Sequence, residues 1–118
     1  MGKIRKARGF GLSRRRLERL IRRVLIDLPE EFRSRLDNVV VVIEDEPPPD
    51  MYDTLGLYEG IPLIDRSSGD MLLPDQITIF KGPIERACRT EKEIEEEVRL
   101  TVLHEVGHYF GLDESQLK

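Results

Sequence analysis

The sequence predicts an α+β domain in which a small mixed β-sheet packs against an N-terminal helix and a C-terminal helix. Three patterns carry that expectation. Leu17, Leu20, Ile21, Val24, Leu25 and Leu28 recur at helical spacing, so a first amphipathic helix is expected. Short apolar runs at 39–43 and 76–80 have the length and β-branched content of strands. Ile94, Val98, Val102, Val106 and Phe110 then recur every fourth residue, reinforced by Leu103, in a second long helix.

Taken in order, residues 1–12 hold Gly2, Gly9 and Gly11 among lysines and arginines and read as a basic flexible arm. Residues 13–118 read as one domain, and a chain of 118 residues can bury a single core without staples. Ser13 is a plausible N-cap for the first helix. Pro29 interrupts that helix or begins a second short one at its first turn, with Phe32 and Leu36 facing inward. Asp37 and Asn38 make a turn. The run 39–43 is continuous in β-branched residues, which predicts a central strand buried on both faces. Asp45 to Pro49 is a stiff, exposed connection. Leu55 to Tyr58, a Glu59-Gly60 turn and residues 61–64 suggest a hairpin. Residues 66–75 read as a loop. Residues 76–80 alternate, Ile77 and Ile79 opposite Thr78 and Phe80, as a half-exposed strand does. Pro83 marks the next helix start. Thr90 with Glu93 makes a capping box for the last helix, and Gly111 can supply the left-handed residue that ends it.

Composition narrows the class. Hydrophobic residues make up 39% and charged residues 36% of the chain, which fits a heavily solvated small fold. No stretch approaches the roughly 18 apolar residues of a membrane span, and residues 1–8 lack the apolar core of a signal peptide. The expected location is therefore cytoplasmic, with no membrane partner. Cys88 is the single cysteine, so neither an internal disulfide nor a cysteine metal cluster is available. Residues 1–26 hold ten Lys and Arg against one acid, Glu18. Such a head can touch nucleic acid, but no aromatics interleave the arginines, and a solvated helix face packing on an acidic body is the expected reading.

The two histidines of the chain both fall in His104-Glu105-Val106-Gly107-His108. Four residues apart on a helix, they lie about 40° apart on one face and can grip one cation. Glu105 is turned about 100° from His104, too far to be a third ligand but placed to reach a metal-bound water. HExxH on a helix is the pattern of a zinc site with its general base between the ligands. Valines 102 and 106 with Leu103 fall on the opposite side, so the histidines should point away from the core stripe. Gly107, about 1 kcal/mol worse than alanine in a helix, suggests close approach by another backbone.

A catalytic zinc takes three protein ligands and leaves a fourth position open. The sequence runs to Lys118, so a ligand on a downstream helix is not expected unless another chain contributes it. HExxHxxGxxH motifs instead turn at a glycine and return a ligand three residues later. Gly111 stands at the glycine position and Glu114 at the ligand position; Asp113, one residue nearer with a shorter reach, competes with it. The expected function is a zinc-dependent peptidase-like hydrolase, in which Glu105 takes a proton from metal-activated water as it attacks a peptide carbonyl. Peptide or unfolded protein would be the substrate, held in extended form along an edge strand for which 76–80 is the candidate. Tyr58 and Tyr109 are possible oxyanion donors, though half-buried tyrosines are more often structural. The alternative is a metal-binding adaptor that uses its cleft or basic arm for a partner and performs no hydrolysis. Glu105 separates the two, because an adaptor has no use for a base.

The chain resembles the small bacterial zincin-like metallopeptidases, or minigluzincins, over nearly its whole length. The resemblance is carried by Leu28-Pro29-Glu30-Glu31, the valine run, Glu44-Asp45-Glu46-Pro47-Pro48-Pro49 and Leu55-Gly56-Leu57-Tyr58-Glu59-Gly60. It continues through Leu73-Pro74-Asp75, Ile77-Thr78 and Gly82-Pro83 to Thr101-Val102-Leu103-His104-Glu105, His108 and Phe110-Gly111. It implies a minimal zincin-like fold, a few helices around a small mixed sheet whose edge strand borders the cleft. It also implies an acid after the glycine as third ligand, matched here by Glu114.

Overall fold

The computed structural model describes residues 11–60 and 75–111. Helix α1 (Arg14–Ile26) begins where Ser13 Oγ accepts the Arg16 N–H at 3.0 Å, satisfying one orphan donor of the first turn. Its apolar stripe buries Leu17, Leu20 and Ile21, with Val24 and Leu25 packed at the margin. Each buried leucine or isoleucine stabilises the fold by about 1.5–3 kcal/mol. Leu12 joins the same core, and its N–H donates to Glu85 Oε2 at 2.8 Å. The fold thus takes in a residue that sequence places in the arm. Leu12 and Leu17 occupy the N′ and N4 positions of a hydrophobic staple, which accounts for the difference.

Pro29 caps the short helix α2 (Glu30–Arg33), and a 3₁₀ turn over Ser34–Leu36 leads into the sheet. Leu36 packs against the core as expected, but Phe32 is 39% exposed, and only its ring meets Phe110 edge to face at 5.5 Å. Three strands form the described sheet: β1 (Val39–Glu44), β2 (Gly56–Glu59) and β3 (Asp75–Phe80), in the order β1-β3-β2. β1 runs parallel to β3 and β2 antiparallel to it, so the sheet is mixed.

Two strand expectations exchange places. β3, expected at a half-exposed edge, is the middle strand, with Ile77, Thr78, Ile79 and Phe80 all buried. Thr78 misleads because its hydroxyl suggests solvent; in the fold that hydroxyl accepts from Gln76 Nε2 at 3.0 Å and needs no water. β1, expected to be central, is an edge of the described sheet with Val40 45% exposed. Its run of β-branched residues reports strand preference, not position within the sheet. The predicted hairpin keeps β2; residues 61–64 and most of the expected loop at 66–75 lie outside the described residues, and Asp75 is the first residue of β3.

Pro83 sits in the first turn of α3 (Lys81–Ala87), where a missing N–H costs no helical bond. Helix α4 (Glu91–Tyr109) starts at Thr90, whose hydroxyl accepts the Glu93 N–H at 3.1 Å. The Glu93 carboxylate closes the reciprocal arm on the Arg89 N–H at 2.7 Å, one residue earlier than a standard capping box. Gly111 ends the helix at φ 93°, its N–H on the His108 carbonyl at 2.9 Å, as the sequence leads one to expect. α4 packs on α1, on β2 and on the middle strand. No described helix is long and apolar enough to cross a membrane.

Candidate metal centre

α4 is buried on more than the valine stripe. Ile94, Val98, Val102 and Val106 lie in the hydrophobic core, while Thr101, Glu105 and Tyr109, spaced four apart, are buried on a second face. His104 and His108 are half-buried on the same helix. Their ring centroids are 4.9 Å apart with planes at 78°, so two imidazoles converge on one patch of surface. A pair of imidazoles so placed suits zinc.

Glu105 is only 7% exposed, because β2 closes over it. A methyl group added at Gly56 would stand 2.8 Å from Thr101 Cγ2, 3.1 Å from Glu105 Cγ and 3.4 Å from Glu105 Oε2. The absent side chain of Gly56 is therefore the space into which the base fits. β2, rather than the strand at 76–80, is the wall of the cleft, and β3 cannot serve as an edge because it is paired on both sides. The cleft itself is about 340 Å³, with Leu55 and Gly56 on one wall and Glu97, Leu100, Thr101, His104 and Glu105 on the other.

Two larger grooves, each about 480 Å³, flank α1 and contain neither histidine. Donor chemistry, not volume, locates the centre. Among the described residues no third His, Cys, Asp or Glu joins the histidine pair in a metal-holding group. The expected third ligand Glu114 and its competitor Asp113 lie outside those residues.

Both tyrosines considered as oxyanion donors have structural partners. Tyr109 is buried, and its hydroxyl donates to the Arg35 carbonyl at 2.8 Å. Tyr58 donates to Asp75 Oδ2 at 2.5 Å, and the two tyrosine rings meet edge to face at 6.1 Å. Asp75 is a buried carboxylate that sequence places in a loop; only the strand register that sets Tyr58 opposite Ile77 brings it to the tyrosine. Sequence reasoning also misses Gly56, Thr101 and Glu97 as parts of the site. The four-residue spacing of Glu97, Thr101 and Glu105 is the available signal, hidden beside the stronger valine repeat.

A solved structure of a conserved hypothetical protein from Thermus thermophilus has 27% sequence identity with the chain and a TM-score of 0.59; the match covers 82% of this chain and 92% of that one. No curated protein matches. The family profile for zincin-like metallopeptidases matches residues 36–118, which take in the whole described sheet, the cleft wall and the histidine helix. With both histidines on one helix face and a glutamate buried between them, the chain belongs to the zincin-like metallopeptidase family.

Proposed function

We propose that the protein is a zinc-dependent peptidase acting on peptides or unfolded protein, with His104, His108 and Glu114 as metal ligands and Glu105 as general base. The burial of Glu105 against Gly56, on the helix that carries both histidines, is the observation that carries the reading. A structural zinc site has no need of a carboxylate held there. Zinc, when bound, polarises a carbonyl and brings the pKa of a water toward neutrality.

The chain's own residues do the rest. His104 and His108 would each offer one ring nitrogen to the metal from successive turns of a helix anchored by its valine stripe. Glu105 accepts the proton of the attacking water and delivers it to the leaving amine. Its side chain is packed between Thr101 and β2, which limits the rotamers it can adopt and holds the carboxylate in one place. β2 and the helix together exclude bulk water from one side of the reacting carbonyl.

The test is a Glu105→Gln variant, which keeps the shape of the side chain but not the base. It is expected to retain zinc and to lose cleavage of an unfolded protein by at least about a hundredfold. Equal cleavage by the two proteins would overturn the assignment of Glu105.

A further inference from the structure

We infer that the cavity beside Glu105 receives the side chain of a substrate residue adjoining the scissile bond, and that Glu97 makes it select lysine or arginine. This deepens the peptidase reading and rests on it. Glu97, Thr101, His104 and Glu105 share one stripe of α4, so the cavity opens directly from the candidate catalytic residues. About 10 Å of helix axis separates Glu97 from His104. A substrate residue whose backbone lies at the histidines reaches Glu97 only with a long side chain.

The chemistry of the walls fits a cation on an aliphatic stem. Leu55 and the 49%-exposed Leu100 offer apolar contact along the way, and the carboxylate waits at the end. Other acids around it are paired: Glu91 and Glu95 with Arg16, Glu96 with Arg99, and Glu85 with Lys81. Glu97 has no such ion pair among the described residues, and its oxygen accepts from the Thr101 hydroxyl at 3.3 Å. No Lys or Arg lines the cavity among the described residues. The field of the carboxylate reaches inward as well, since burial, then Glu97 and Glu93, holds the Cys88 thiol above its ordinary pKa. An apolar side chain placed here would cover Glu97 without pairing it, and an acidic one would be repelled.

The experiment uses the zinc-loaded full chain and a random peptide library, with cut sites read by mass spectrometry. Cuts are expected to be enriched for Lys or Arg at one fixed position beside the bond. Glu97→Gln is expected to lower the ratio of cationic to leucine cuts about tenfold, the scale of a lost charged hydrogen bond. Glu97→Lys is expected to turn the preference toward Asp and Glu. An unchanged ratio in both variants overturns the inference. Binding separates its failure from that of the peptidase reading. Zinc-loaded Glu105→Gln, titrated with labelled peptides carrying Lys, Leu or Glu at each position in turn, should bind the Lys series best and lose that preference when Glu97→Gln is added. Such discrimination without any cleavage by the wild type would sink hydrolysis and keep the subsite; no discrimination sinks the subsite.

Discussion

Helices α1 and α4 both carry an apolar stripe at helical spacing and end up with different surroundings. α1 buries one stripe, Leu17, Leu20 and Ile21, and turns Arg15, Arg19 and Arg22 to solvent. α4 buries its valine stripe against the core and a second, partly polar line of Thr101, Glu105 and Tyr109. A helix that only holds the fold together needs one buried face. A second buried face made of polar groups has to be met by something specific, here Gly56 of β2 and the Arg35 carbonyl. The histidines lie beside the polar line, on the side away from the valine stripe, and are left half-exposed. The candidate site thus lies where a helix carries more burial than its packing requires.

The largest effects should fall on the histidines of α4. His104→Ala or His108→Ala is expected to lower zinc affinity by more than about tenfold, read as metal retained after dialysis, while Arg19→Ala on α1 leaves it unchanged. Undiminished zinc in either histidine variant would remove the difference in task between the helices. Next come the apolar stripes, where the two helices should behave alike. Leu17→Ala and Ile94→Ala each remove a fully buried side chain and are expected to cost about 2–5 kcal/mol in denaturant unfolding. A cost on one helix alone would show that the core does not join them as equals.

Gly56→Ala tests the second face. The added methyl would press on Thr101 Cγ2 and Glu105 Cγ at 2.8 and 3.1 Å, so a loss of about 1–3 kcal/mol is expected. Thr101→Ser removes the nearer contact, and in the double variant part of that loss should return. Additive effects of the two substitutions would mean that β2 does not rest on this face of the helix.

The helices and the histidine pair are legible in the sequence because each repeats within a few residues. Ser13, Thr90 and Gly111 announce their caps for the same reason: a cap is settled by local hydrogen bonds. What is not legible depends on which strand lies beside which. The valine run of β1 and the alternation of β3 describe strands well, but their order in the sheet is set by long-range pairing. The burial of Asp75 and the fit of Glu105 to Gly56 follow from that order, so they too are hidden. A residue with no side chain leaves no pattern of its own; Gly56 shows its purpose only when Thr101 and Glu105 stand against it.

The smallest effect belongs to the charged surface outside the buried faces of both helices. Its pairs, such as Arg14 with Asp45 and Arg86 with Glu46, are half-exposed or more, so each contributes little. Glu46 makes the point testable by pH. Hydrogen bonding to Arg86 at 2.8 and 3.1 Å holds its carboxyl below the ordinary value of 4.5, with the nearby charges of Arg86 and Lys81 acting in the same direction against slight burial. A carboxyl with a depressed folded pKa stabilises the fold above its unfolded pKa, and the gain disappears as pH falls through the folded value. The Tm of wild type should therefore exceed that of Arg86→Met slightly at pH 7, and the gap should close below pH 4.5. A gap that stays constant into acid would assign the effect to the packing of the Arg86 guanidinium over the Tyr52 ring, 5.6 Å from its centroid, and not to charge. Either outcome measures how little the outer shell adds beside the two buried faces of α4.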